Sequence, residues 1–231
     1  MVNIEQLPAL PSKKIKSYRL INSKFPPISL FDDVADANEF NSLYALQTLT
    51  NPRLKNEVGD LQLIPRTEIP FGIPGCSYAT APFTHVNPDG SRFSNGAFGI
   101  LYLADSMETA IAEVKHHQHA YWSRVPELNY ERFVFRGLIC HFDEVDILDG
   151  LTLSSTNPIY SPTDYSEARV LGHAIKHNKS MGIRYHSVRR QSAICWALMT
   201  PSHVTSIQQA THYEMVWNGS ITGVNKLSST L

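Results

Sequence analysis

Three residues in the stretch DGSRFSNGAFGILYLADSMETAIAEVKHH (89–117) are of types that could do chemistry together: Arg92, Tyr102 and Glu113. A guanidinium in a glycine-bounded turn can bind a phosphate bidentately, with few side chains to obstruct the approach. A phenol on an apolar strand offers a ring to stack on and a hydroxyl that needs a partner. A carboxylate beside a developing positive charge lowers a barrier electrostatically, as in glycoside cleavage through an oxocarbenium-like state. Spacing alone favours a plainer reading: a turn arginine, a core tyrosine and a surface glutamate.

The elements that would position these residues are legible. The apolar run Gly99–Ala104 predicts a strand buried on both faces, carrying Tyr102. Asp105, with Glu108 three residues on, resembles a capping box opening a helix. Met107, Ala110, Ile111 and Val114 recur at helical spacing and form its buried stripe. At about 100° per residue, Glu113 falls on the flank of that stripe, which suits a carboxylate at the rim of a cleft. His116, His117 and His119 follow, and Glu113 could share a metal with one of the first two. No second element supplies matching ligands, so no metal is expected. The plainer reading is solvated histidines near a helix C-terminus, where the dipole favours them.

Upstream, IKSYRLIN (15–22) predicts a strand whose Arg19 points with Ile15 and Ile21 to an interior or a cleft, or equally serves as an edge-strand surface charge. Pro26-Pro27 breaks the chain, and Ser29-Leu30-Phe31-Asp32 leads into a helix over Val34–Leu49, with Phe40, Leu43, Leu46 and Leu49 as one apolar face. Residues 51–90 are rich in turn signals, among them Asn51-Pro52, Pro74-Gly75 and Asn87-Pro88-Asp89-Gly90, with at most a short strand at Leu61–Ile64. Downstream, Arg132–Phe142 predicts a strand bending at Gly137 and continuing loosely through Val145–Leu148. Asp164-Tyr-Ser-Glu167 opens a helix to about Asn178. Strands follow at Gly182–Ser187 and Ser192–Met199, and a hairpin turns at Asn218-Gly219. Strands outnumber helices in irregular order, which is the α+β class.

The 231 residues are 42% hydrophobic and 18% charged, an ordinary balance for one globular domain. A net charge of −1 argues against a surface-wide grip on nucleic acid, and no direct nucleic-acid binding is expected. Cys76, Cys140 and Cys195 form no CxxC pair, which points to reduced thiols and a cytoplasmic location. The first residues lack the apolar core of a secretory signal, and no run reaches membrane-span length. Cys195, inside SAICWALM, reads as a structural thiol rather than a nucleophile. No GxSxG elbow, GxGxxG or Walker-type loop occurs. Ser187 closes a strand, as a hydrogen-bond donor in a cleft or as a plain turn residue.

In order, spacing and flanks these pieces resemble the RES-domain family, toxin components of bacterial toxin–antitoxin pairs, named for an arginine, a glutamate and a serine. GSRFSNGAFGILYLADSMETAIAEV is similar to its "R…YLA…TA…E" block, giving Arg92, Tyr102 and Glu113. TDYSEARVLGHAI followed by GIRYHSVRR is similar to its second block, giving Ser187. The likeness covers roughly residues 75–200 as a motif-bearing core, with an echo in Tyr18-Arg19-Leu20. The whole chain, 1–231, then reads as a single RES-type domain with residues 1–13 as a loose lead-in. The resemblance implies an ADP-ribosyltransferase-like fold, with mixed and antiparallel strands forming a cleft flanked by helices. It implies an NAD+ glycohydrolase, with NAD+ as substrate and no further cofactor. Alternatives are ADP-ribosyl transfer to a macromolecule or phosphate, or a non-catalytic ligand-binding relative. Glu113 would stabilise the ribosyl cation and could orient the attacking water. Arg92 would hold the pyrophosphate or a ribose-side phosphate oxygen, and Tyr102 would stack on or hydrogen-bond the nicotinamide-ribose end. Ser187 would fix the substrate by a hydrogen bond, and Arg19 would be a second phosphate contact. A cognate Xre-type antitoxin, and a homodimer within the complex, are the implied protein partners. Two departures stand out: Gly90-Ser91-Arg92-Phe93 replaces the family's usual pair of glycines before arginine and tryptophan, and the segment before Arg92 is long.

Overall fold

A computed structural model describes residues 2, 4–24, 31–32, 34, 36–49 and 58–227. The sequence readings at Pro26-Pro27, Ser29-Leu30 and Asn51-Pro52 lie outside the described residues. The strands are β1 (Lys14–Asn22), β2 (Leu101–Ala104), β3 (Tyr130–Asp143), β4 (Ile147–Asp149), β5 (Gly182–His186), β6 (Ile194–Leu198), β7 (Val204–Asn218) and β8 (Ile221–Leu227). They form one eight-stranded sheet in the order β4-β5-β6-β2-β1-β3-β7-β8. Only β4 and β5 run parallel; every other neighbouring pair is antiparallel. The α+β expectation is met, with a mostly antiparallel sheet.

Both faces of the sheet are covered, because its central strands are apolar on both sides. In β6, Cys195 and Ala197 face one core and Trp196 and Leu198 the other. Helices α1 (Ala37–Thr48) and α2 (Cys76–Thr84) cover the second core through Phe40, Cys76, Ala79 and Phe83. Helices α3 (Met107–Trp122) and α4 (Ser166–His177) cover the first through Ala110, Trp122, Ala168, Leu171 and Ile175. The far end of α3 is fixed by Trp122, which stacks on Phe133 at 3.9 Å and meets Trp217 edge-on at 5.8 Å.

Several local expectations change. The apolar face proposed for α1 does not hold together: Phe40 is fully buried, whereas Leu46 and Leu49 are 63% and 81% exposed. Residues spaced by three drift about 60° per step around a 3.6-residue helix, so Leu49 ends opposite Phe40. Residues Leu61–Leu63 make a 3₁₀ turn capped by Asp60, not a strand. Helix α2 arises in the stretch read as loop, and β7 is far longer than the hairpin arm expected. At α3 the cap is Ser106, whose Oγ accepts from the Thr109 amide at 3.2 Å. Asp105 instead ties the helix start to β6, accepting from the Thr109 hydroxyl and from the Ile194 amide.

Candidate active site

β1 and β2 are registered at a single residue pair, Tyr18 with Ala104. Ala104 ends β2, and on the side of that rung towards Leu20 and Tyr102 no further pair is registered, so the residues there line a gap. A cavity of about 420 Å³ opens there. That explains why consecutive residues, Tyr18-Arg19-Leu20 on β1 and Tyr102-Leu103-Ala104 on β2, all line it. The turn carrying Ser91 and Arg92 and the face of α3 carrying Glu113 and His117 complete the wall.

Glu113 is the best-oriented carboxylate in this wall. The Ser187 hydroxyl donates to its Oε1 at 2.6 Å. Ser187 Oγ in turn accepts from the amides of Arg189 and Arg190 at 3.2 and 3.1 Å. The turn after β5 thus aims one hydroxyl proton at Glu113. Cys195 lies on the other side, its thiol 3.9 Å from the same oxygen. Burial first, and then the Glu113 charge, push that thiol well above its ordinary range, so it stays protonated.

Arg92 is 7% exposed and largely committed. Its Nη1 donates to the carbonyls of Ile159 and Ser161 at 3.0 and 2.9 Å, and its guanidinium lies 4.5 Å from the centre of the Tyr165 ring. Arg189 donates to the Pro162 carbonyl and to the Tyr165 hydroxyl, so two arginines hold the 159–165 strap. Tyr102 is committed as well: its oxygen lies 2.8 Å from Ser91 Oγ and accepts from the Phe93 amide at 3.1 Å. Burial pushes the phenol up to about 12, so it remains neutral. Arg19 differs. Its Nη1 is buried with no hydrogen-bond partner among the described residues, and burial pulls its guanidinium down to about 10. A half-buried guanidinium with one unpaired, buried nitrogen at a cavity wall suits an anion.

The turn 89–93 is itself positioned by α4. Arg169 donates to the carbonyls of Ser91 and Asp89 at 3.1 and 3.0 Å. Gly172 packs so closely that a β-carbon there would sit 1.8 Å from the Phe93 carbonyl oxygen.

Residues 69–218 match the RES domain. The chain belongs to the RES-domain family. It is 30% identical over 207 residues to the uncharacterized protein y4oC of Sinorhizobium fredii, covering 90% of this chain and 85% of that one. Among solved structures it is similar to a chain of the M. tuberculosis MbcT–MbcA toxin–antitoxin complex, with a TM-score of 0.46 and 11% identity, covering 90% of this chain and 86% of that one.

Arg92, Tyr102 and Glu113 of the matched region line one cavity together with Arg19 from β1, and Ser187 reaches it through Glu113. Sequence reasoning set His117 aside as a solvated helix-end residue, but the ring lines the cavity. Its position four residues after Glu113, on the same helical face, was the available signal. The clamping role of Arg169 and Gly172 carried no signal in spacing.

Proposed function

We propose that this RES-domain protein cleaves the nicotinamide–ribose bond of NAD+, releasing nicotinamide and ADP-ribose. The observation that carries this reading is the Glu113 carboxylate, oriented by Ser187, in the wall of a cavity also lined by Arg19, whose Nη1 has no partner among the described residues. A carboxylate fixed beside the ribose C1′ stabilises positive charge as neutral nicotinamide departs. Arg19 takes a phosphate of the dinucleotide, and Arg92 adds positive charge while holding the strap. The Tyr102 ring packs against the nicotinamide-ribose end. A volume of about 420 Å³ lies within the range of small-molecule sites. NAD+ is the substrate here, and the residues named require no resident cofactor. The likeness of both sequence blocks to toxin components supports a cytoplasmic toxin neutralised by a cognate Xre-type antitoxin, with a homodimer inside that complex.

The test is incubation of purified protein with NAD+, followed by chromatography for free nicotinamide. Release of nicotinamide with free ADP-ribose supports hydrolysis. ADP-ribose ending on protein or phosphate replaces hydrolysis with transfer, and no release leaves a binding protein. Glu113→Gln, with an unchanged circular dichroism spectrum, is expected to lower turnover by ~10²–10³. Near-normal turnover would remove Glu113 from its role.

A further inference from the structure

Glu113 is one of two titratable groups that α3 presents to the cavity; the other is His117, one helical turn further on. Their situations are opposite. Oε1 of Glu113 already accepts from Ser187, with the Cys195 thiol close by, so one carboxylate oxygen is left for the ribosyl cation. That oxygen cannot both face the cation and collect a proton from an attacking water on another side. His117 makes no hydrogen bond among the described residues; its ring meets that of His116 edge-on at 5.4 Å. The residue is exposed while lining the cavity, so solvent water reaches it.

Resting on the NAD+-cleaving reading, we propose that His117 is the residue that receives the nucleophile: a ring nitrogen accepts a hydrogen bond from the attacking water and takes its proton. In the step, the C1′–N bond breaks and its electron pair leaves with neutral nicotinamide. A water oxygen forms the new C1′–O bond, and the proton lost by that water passes through His117 to solvent. The surroundings suit an acceptor. Desolvation, then the charges of His116, Arg189 and Arg92, push His117 down to about 4, so the ring is unprotonated at neutral pH. Around the same cavity stand Glu113, Arg19, Arg92, Tyr102 and His85, with Cys195 behind Glu113; Glu113 is the carboxylate lining it, and His85 Nδ1 lies 3.1 Å from Thr84 Oγ1. That carboxylate is engaged by Ser187 and the His85 ring by Thr84, and His117 is the acceptor that shares the helical face of Glu113.

The proposal distinguishes proton removal from bond cleavage, and sodium azide separates the two. Azide attacks without losing a proton, so it needs no acceptor. Nicotinamide release and product identity are measured for wild type and His117→Ala, with and without azide, and His117→Gln serves as a second variant. Expected for His117→Ala is a fall in hydrolytic kcat of ~10² with little change in KM. Azide should then restore nicotinamide release and yield ADP-ribosyl azide, without accelerating wild type. Hydrolysis at the wild-type rate in both variants overturns the proposal. So does a loss that azide fails to rescue, since that marks a structural role. If wild type itself releases no nicotinamide, the NAD+-cleaving reading fails and this inference with it. Wild-type release with unaffected variants removes the His117 role alone.

Discussion

Arg19 shows most plainly what a single residue contributes to this site and what it costs. A base whose folded pKa lies below its unfolded value is disfavoured by folding wherever it is charged in both states. For Arg19 that penalty is fully present below about pH 10 and is relieved as pH rises towards the ordinary 12.5. At neutral pH, Arg19→Met should therefore raise stability, by roughly 1–3 kcal/mol after relaxation. The same change should weaken NAD+ binding by ~10-fold or more, the usual worth of a charge-assisted hydrogen bond. Urea unfolding paired with KM measurements reads both effects, and a lowered urea midpoint would make Arg19 a structural cation. From sequence, Arg19 could be placed on a strand but not on a side of it, because alternation in IKSYRLIN is imperfect. Arg92 and Tyr102 were legible as residues of one cluster, and both line the cavity. Their partners were not: the carbonyls of Ile159 and Ser161 come from 67 and 69 residues away, beyond any local pattern.

At the scale of elements, the site depends on close approaches that substitutions can test. Gly172 on α4 meets the backbone of Phe93, not a side chain that could swing aside. Gly172→Ala should destabilise the protein by about 1–3 kcal/mol, the range for overpacking a tight contact. It should also lower turnover by displacing the turn that carries Arg92. Chemical denaturation and NAD+ turnover together check this; an unchanged midpoint would mean the helix shifts without cost. Strands β2 and β6 were readable because their apolar runs are bounded by turn residues, and β1 from an imperfect alternation. Helix α2 was not, since Pro82 lies inside it and proline signals dominate its neighbourhood. Its place is set by tertiary contacts: Cys76, Ala79 and Phe83 are buried in the second core, and Gly99 lets the chain pass within contact of the Pro82 carbonyl. The exchange of roles between Asp105 and Ser106 has a similar origin, because the Ile194 amide that claims Asp105 belongs to a strand 89 residues on.

For the whole molecule, the decisive property is that the cavity sits on a seam. The strands β4, β5, β6 and β2 form one side, β1, β3, β7 and β8 the other, and one residue pair joins β1 to β2. A ligand touching Arg19 on one side and Tyr102 on the other bridges them. NAD+ should therefore stabilise the catalytically weakened Glu113→Gln protein by ~2.7 kcal/mol at a hundredfold excess over Kd. Scanning calorimetry should show this as a rise of roughly 5–10 °C in Tm for a chain of this size. No shift at saturating NAD+ would contradict a substrate bound across the seam.

The seam is also stitched. Passing from β1 to β2, β2 to β3, β3 to β4 and β6 to β7, the chain moves from one side to the other four times. Neither side is a continuous piece of sequence, so neither can be released as a folded fragment. The wall of the cavity draws on residues from Tyr18 to Cys195. During synthesis from the N-terminus, the reactive geometry cannot exist until β6 has left the ribosome and returned beside β2. An activity that consumes a metabolite of the host cell would thus be withheld from every unfinished copy by connectivity alone, before any partner protein is needed.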